Sequence, residues 1–414
     1  MFNFDESHWT NSNFCIISFI QMNRFSSAST IVTGYYQESI VQKAAAMLRT
    51  ELGQNPTFAV VFATPHYMDH LHDFIEVIRV HGHVPVLIGA SAWGLVGRTA
   101  EIEGVPGFSM MFFSMPGVSV IPIEIEADCF QKIDQPKTWA QWAKVNPEEV
   151  KLWMTLINPF QFPIEDWLEE WGQAYPGVPL FGGLASGDPQ EQKATVFHND
   201  KVISGAIALA LDGDFGVQCL VSQGCRPIGE PLTITKVNEN ILYSLGSRPA
   251  LEVLNTVYEE LPKADKKIAQ GHIFAGLAMS EYVEEFKSGD FLIRNIFGAD
   301  PKTGAVSIGA FPRVGQTLQY QLRDAQTASD DFRHLLTKAE EDLGGCTPFG
   351  ALICTCTGRG EKLFKSPHHD AQMVDQIFPG ISLAGFFGNG EIGPVGERSY
   401  AHGYSVSVVL FYEI

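Results

Sequence analysis

The 414-residue chain carries 28 basic and 47 acidic residues, a formal net charge of -19, with 45% apolar and 18% charged residues. This composition excludes a disordered chain, and the acidity argues against a nucleic-acid or anionic-membrane surface, either of which needs clustered Lys and Arg. The length exceeds one ordinary core and points to two domains. Seven cysteines without a C-x-x-C pair point to reduced thiols and a cytoplasmic location.

Residues 1–34 read as a poorly structured N-terminal extension. Its apolar run 14–20 is far too short to span a bilayer. That run follows Asp5 and Glu6 rather than a basic segment, so a signal peptide is not expected, and Met22 opens a polar lead-in that could mark a second start. The pattern then predicts a helix over 37–52, a buried strand over 57–63, a helix over 67–80 capped by Gly82, and a strand over 84–88 running into the small-residue turn 89–94. Strands follow over 108–113 and 118–125, a helix over 137–144, a strand over 152–157, a helix over 164–175, and a strand over 178–181 that reaches the turn 182–187. A hairpin joins 194–197 to 202–211 through Asn199 and Asp200. Next come a strand over 216–222, a helix over 249–261, a hairpin of 291–297 with 305–310, a strand over 317–322 and a long helix over 325–343. The last segment gives a strand over 352–356, a helix over 369–378, a strand over 381–384, a glycine-rich turn over 385–396 and a closing strand over 403–412.

The order strand, helix, strand, glycine turn, strand therefore occurs three times. Duplication explains this better than a solenoid, whose period is shorter. The fold class is α+β: mixed, largely antiparallel sheets flanked by helices, built from repeated strand–helix–strand–turn–strand units. Ser91 and Ser186 take equivalent places in the first two turns, as hydrogen-bond donors at a pocket edge or as plain turn residues. A domain boundary falls near 212–216.

Several residues could carry chemistry. Arg359, between two glycines, could fork onto a ligand carboxylate or phosphate, or be an exposed turn arginine. Glu391 could receive a ligand ammonium, or close a local cap or salt bridge. The two together would suit a zwitterion. Cys354 and Cys356 share one strand face, and a nearby guanidinium could lower the Cys356 thiol pKa. The candidate bases are His368, His369 and His402; the alternative is structural cysteine, as also for Cys225 beside Arg226. His66 and His70 could share a helix face, but with no H-E-x-x-H a polar helix surface is the simpler reading, and no metal or cofactor is expected. No P-loop, dinucleotide fingerprint or nucleophile elbow is present.

At IGASAWG (88–94), QGCRPIG (223–229), QLRDAQTA (321–328), CTGRG (356–360) and GFFGNGEIG (385–393) the chain resembles the FIST sensory proteins, which pair an N-terminal with a C-terminal FIST domain. The resemblance implies a FIST N-terminal domain over 35–213 and a FIST C-terminal domain over 214–414. It implies an intracellular module that binds a small ligand, an amino acid or similar polar metabolite, and the leading expectation is a non-catalytic sensor. A protein signalling partner is also open, but neither nucleic acid nor membrane. The ligand-binding candidates are Ser91, Trp93, Ser186, Cys225, Arg323, Cys356, Arg359, Phe387, Asn389 and Glu391. The alternatives are an adaptor or substrate receptor, and a cysteine-dependent enzyme using Cys356.

Overall fold

The computed structural model describes residues 24–132, 138–187, 193–286 and 289–414. Three units of one design follow each other. The first runs β1 (Ser26–Thr33), α1 (Glu38–Leu52), β2 (Phe58–Ala63), α2 (Leu71–Gly82), β3 (Leu87–Ser91), β4 (Gly94–Val96), β5 (Glu101–Glu103) and β6 (Gly107–Ser114). The second runs β7 (Ser119–Ile125), α3 (Thr138–Ala143), β8 (Leu152–Ile157), α4 (Ile164–Ala174), β9 (Leu180–Leu184), β10 (Val196–His198), β11 (Lys201–Ile203) and β12 (Ala206–Asp212).

The third unit opens with β13 (Gly216–Ser222) and is then interrupted by an insert: β14 (Cys225–Pro227), β15 (Leu232–Asn238), β16 (Ile241–Leu245), β17 (Arg248–Pro249), α5 (Ala250–Glu260), α6 (Lys263–Ile268), β18 (Ile273–Ala278), β19 (Phe291–Arg294), β20 (Ile296–Asp300), β21 (Ala305–Ile308) and β22 (Thr317–Arg323). It resumes with α7 (Ala325–Asp342), β23 (Gly350–Cys356), α8 (Gly360–Phe364), α9 (His369–Ile377), β24 (Leu383–Gly388), β25 (Gly390–Val395), β26 (Arg398–His402) and β27 (Val406–Tyr412).

The units form three six-stranded sheets, ordered β1-β6-β2-β3-β10-β11, β7-β12-β8-β9-β25-β26 and β13-β27-β23-β24-β4-β5. Each holds one parallel pair, joined by a crossover helix, between antiparallel neighbours. The last two strands of every sheet come from a different unit. The hairpin of unit one completes the sheet of unit three, that of unit two completes the sheet of unit one, and that of unit three completes the sheet of unit two. The units are thus locked in a cycle. The insert forms a separate nine-stranded sheet, in which β14 pairs with β22.

The registers align the units residue by residue. Ala59, Trp153 and Ala351 on the first strands face Leu87, Leu180 and Leu383 on the second. Gly89, Gly182 and Gly385 then fall in one place. A Cβ at any of the three would collide with the carbonyl oxygen of Val61, Thr155 or Ile353, so only glycine lets the parallel strands close. The first strands are apolar almost throughout because both faces are covered. One face meets a shared axial core that holds Val60, Met154 and Leu352, then Phe62, Leu156 and Cys354. The other face packs under each unit's own helices.

The expected α+β class, with mostly antiparallel sheets and repeated units, is what the fold shows. Some boundaries differ. Residues 26–33, read as part of the extension, form β1 on the edge of the first sheet; residues 1–23, with Cys15 and the run 14–20, lie outside the described residues, as does Lys137 of the predicted third helix. The stretch 202–211 is not one hairpin arm: β11 stays with β10, while β12 pairs with β7 and β8 in another sheet. The turn 385–396 is mostly strand, and 403–412 enters β27 only at Val406. Gly82 lies within α2, and His83 takes the left-handed cap at φ 55°.

Candidate functional site

The three turns after the second strands meet at one end of the axis. Register makes Ser91 equivalent to Leu184 and Phe387, and Trp93 equivalent to Ser186 and Asn389. The expected equivalence of Ser91 with Ser186 is therefore off by two residues. Both hydroxyls tie turn to turn. Ser91 Oγ donates to Ser186 O at 2.8 Å, and Ser186 Oγ accepts Trp93 N–H at 2.8 Å and donates to Phe387 O. Asn389 donates its amide N–H to Ala185 O at 3.2 Å. Ser91, Trp93, Ser186, Phe387 and Asn389 thus belong to one junction between units.

Arg359 is not on an open turn. It is fully buried, and its fork closes on Asp370: Nε to Oδ2 and Nη2 to Oδ1, each 2.8 Å. Its guanidinium carbon lies 5.1 Å from the Phe364 ring centre and 5.8 Å from that of Phe332. Asp370 also accepts from Thr355 Oγ1 at 2.8 Å and bonds His369 Nδ1 at 2.9 Å. Burial opposes ionisation of Asp370, but the Arg359 guanidinium and His369 hold it well below the usual carboxylate range. Arg359 Nη1 is left without a partner, beside Gly224, where a Cβ would sit 3.3 Å from it.

Around that open nitrogen the insert meets unit three. Arg323 ends β22, opposite Cys225 on β14. It is 2% exposed, donates through Nη2 to Gly358 O at 3.0 Å and lies 4.8 Å over the Tyr404 ring. Its Nε has no partner. Burial and the Arg359 charge lower its pKa, while Cys356, Cys225 and Glu391 work the other way. Glu391, fully buried on β25, accepts Ser405 N–H at 3.0 Å and Ser405 Oγ–H at 2.7 Å through Oε2, leaving Oε1 bare. Burial pushes its carboxyl up to about 8, against the Ser405 bonds and the two arginines. Arg323, Arg359, Glu391, Cys225 and Cys356 are therefore one electrostatic cluster.

Cys356 is capped rather than activated. Its sulfur accepts N–H groups of Tyr404 at 3.2 Å and Gly358 at 3.4 Å. Its backbone N–H bonds Ser405 O just as those of Thr64 and Asn158 bond Gly107 O and Gly205 O. Thr64 Oγ1 and Asn158 Oδ1 likewise accept backbone N–H groups there. The thiol fills a strand-end position that the other units fill with neutral polar groups. Burial, then Glu391, raises it to about 12, and Arg323 only partly offsets them, so the expected lowering of its pKa is overturned. None of His368, His369 and His402 hydrogen-bonds it among the described residues; they engage Glu101 N–H, Asp370 with Ser329, and Gly393 O. Burial raises the Cys225 thiol to about 12 as well.

Unit three departs from its mates at one cross-strand pair. Glu391 faces His402, while the equivalent pairs are Leu95 with Ile102 and Val196 with Ile203. Leu95 and Val196 lie in the axial core. His402 donates Nε2–H to Gly393 O at 3.1 Å, its Nδ1 has no partner, and burial lowers its pKa to about 4.

Other parts of the molecule carry less. His66 and His70 sit on a short 3-10 turn and pack on Tyr35 and Tyr36. Among the described residues, the groups close enough to share an ion are His72, Asp73 and Glu76, all exposed. A surface groove of about 380 Å³ beside α2 is lined by His72, Glu76, Arg79 and Asp200, where Arg79 Nε alone is buried without a partner; the axial void is apolar and only about 10 Å³. The Arg323–Glu391 cluster is the chemically unusual place, although it is closed over. Sequence reasoning missed Asp370, Tyr404 and Glu101. Asp370 was legible only as a helix-start residue, because its partner is eleven residues away across a turn. Glu101 accepts Ala371 N–H at 2.8 Å, and burial, then Asp370, raises its pKa to about 8. A buried pairing across 270 residues leaves no local trace.

The FIST N domain family matches residues 57–248, and the FIST C domain family matches residues 250–394. An uncharacterized protein of Mycobacterium tuberculosis strain H37Rv, Rv0628c, is 33% identical over 371 residues, covering 89% of this chain and 95% of that protein. An uncharacterized protein of Mycobacterium bovis, Mb0898c, is 33% identical over 375 residues, covering 89% and 94%. A crystal structure of cyanuric acid hydrolase from A. caulinodans aligns with 92% of this chain at 8% identity, with a TM-score of 0.31. With both domains matched and full-length relatives at this identity, the chain belongs to the FIST family.

Proposed function

We propose that this protein binds a small zwitterionic metabolite of the α-amino-acid type, non-catalytically, where the insert meets unit three. FIST domains are associated with small-ligand sensing and signal transduction. The observation that carries the reading is the set of buried, partnerless polar atoms in one cluster: Arg323 Nε, Arg359 Nη1 and Glu391 Oε1. Buried donors and acceptors are normally satisfied, so a group of them marks a place where a ligand supplies the missing bonds. Arg323 takes the ligand carboxylate, Arg359 Nη1 adds a donor, and Glu391 takes the ammonium. Arg323, not Arg359, is the principal anion receptor, because Asp370 already occupies the fork of Arg359. Tyr404, under the Arg323 guanidinium, and Cys356, bonded to the Tyr404 N–H, adjoin the cluster.

Entry requires the insert to lift from unit three. Among the described residues, the ties there include Arg323 to Gly358 O, Arg294 Nη1 to Ala401 O at 2.9 Å, Ile293 N–H to Gln223 Oε1 at 3.2 Å, Arg226 Nε to Asp324 Oδ2 at 3.4 Å, a side-chain hydrogen bond between Asn295 and Tyr404, and the contact of Phe274 with Tyr404. Ligand binding across this seam would fix the insert, and a signalling partner in the cytoplasm would read its position. No helix among the described residues is long and apolar enough to cross a membrane. The test is calorimetry and thermal shift with the common L-amino acids and their amine and acid analogues. Binding should vanish in Arg323→Met and persist in Ser91→Ala. A panel in which no compound raises the melting temperature would sink the reading.

A further inference from the structure

We infer that ligand capture at this site expels a proton from Glu391, so that the protein responds to its ligand and to pH together. The inference rests on the zwitterion reading above and adds its regulation. Glu391 stands in a position that is apolar in both symmetry mates, Leu95 and Val196. It is wholly buried, with one oxygen held by Ser405 and the other bare.

The groups that face it are few. β23 contributes the neutral thiols of Cys354 and Cys356, and the segment before β27 contributes Ser405. β26 contributes His402, which burial keeps uncharged, and β9 contributes only Gly183. The positive groups are Arg323 and Arg359. Arg359 is the stronger of the two on this carboxyl, but it is shared with Asp370, and together the arginines offset burial only in part. In the free protein the carboxyl accordingly keeps its proton to about 8. A ligand ammonium placed at Oε1 supplies the missing countercharge. The carboxylic acid then passes its proton to solvent and binds as carboxylate. The exchange is one proton out for one ammonium in: the carboxyl O–H bond breaks, the proton goes to water or buffer, and no bond to carbon or nitrogen changes.

The experiment has two arms on the intact protein. In the first, carbon-13 NMR of labelled glutamate follows the Glu391 carboxyl of the free protein, assigned with Glu391→Gln. A midpoint near 8 is expected. A midpoint below about 6 overturns the inference, because the group is then already ionised at neutral pH. In the second arm, whichever L-amino acid binds is titrated at neutral pH in phosphate and in Tris, whose ionisation enthalpies differ. Close to one proton should be released per ligand, and affinity should rise roughly tenfold per pH unit from about pH 6 to about pH 8. Glu391→Gln should bind more weakly, with a flat pH profile. Binding with no proton release overturns the inference and leaves the ligand site standing. No binding by any amino acid across that pH range overturns both.

Discussion

The hairpin of unit three and its counterparts in units one and two share a register but not a chemistry. Leu95 with Ile102 and Val196 with Ile203 fill core positions. Glu391 with His402 puts two ionisable groups into the same place, each with an atom that has no partner. Three copies of one frame thus show what the frame needs and what it does not. An apolar pair is sufficient for folding, so the polar pair answers another demand. The insert points the same way. It interrupts unit three alone, between β13 and α7, and it brings Arg323 and Cys225 to the end of that unit's strands. Among the described residues, the strand ends of the other units carry no comparable cluster of buried charges.

Five substitutions test the comparison. The largest effect is expected from Asp370→Ala, which strands the buried Arg359 guanidinium. Loss of one partner of such a pair costs about 3–5 kcal/mol, read from denaturant unfolding. A loss under about 1 kcal/mol would mean that Arg359 finds water or another partner, and the cluster would have to be redrawn. Gly182→Ala comes next, because its Cβ would strike Thr155 O. Strain of about 1–3 kcal/mol or more is expected, and Gly385→Ala should behave alike if the units are truly equivalent.

Glu391→Leu restores the residue type of the other units. It should abolish ligand binding yet raise the melting temperature at alkaline pH. The sign follows from linkage. The folded carboxyl titrates near 8, above its unfolded value, so stability is highest below the unfolded pKa and falls as pH rises through about 8. The variant should lose part of that fall. Glu101, also raised to about 8, retains the rest. His402 acts oppositely. Its pKa is depressed to about 4, so its contribution is present above the unfolded value and fades as pH drops through the folded one. A Glu391→Leu protein that is less stable at every pH would show that the Ser405 bonds, not ligand binding, explain the carboxylate.

The smallest effect is expected from Cys356→Ser, below about 1.5 kcal/mol, since Thr64 already plays this part in unit one. Alkylation of Cys356 at neutral pH should be slow in the native protein. Rapid modification would revive a nucleophilic role and break the parallel with Thr64.

Much of the fold was legible in the chain itself. The runs 58–63, 152–157 and 350–356 are apolar because both faces are covered, and each is followed by a helix and a second glycine-containing strand. These are local signals, set by periodicity and by the backbone freedom of glycine. The threefold recurrence followed from them, as did the family. Arg323, Arg359, Glu391, Cys225 and Cys356 of the candidate cluster were named too, but not their buried surroundings. Arg359 looked like an exposed turn residue because its sequence neighbours are glycines, yet Asp370 and two aromatic rings enclose it. Cys356 looked activatable because an arginine stands three residues on, yet the nearer influences are burial and Glu391. The cyclic exchange of hairpins was equally hidden, since β4 pairs with β24 across about 290 residues of chain. The sequence by itself determined the units, their order and the residue types at the strand ends. Only the tertiary structure decided which charges are paired and which stay open, because burial and electrostatic pairing depend on distance in space, and the insert closes that distance at one unit alone.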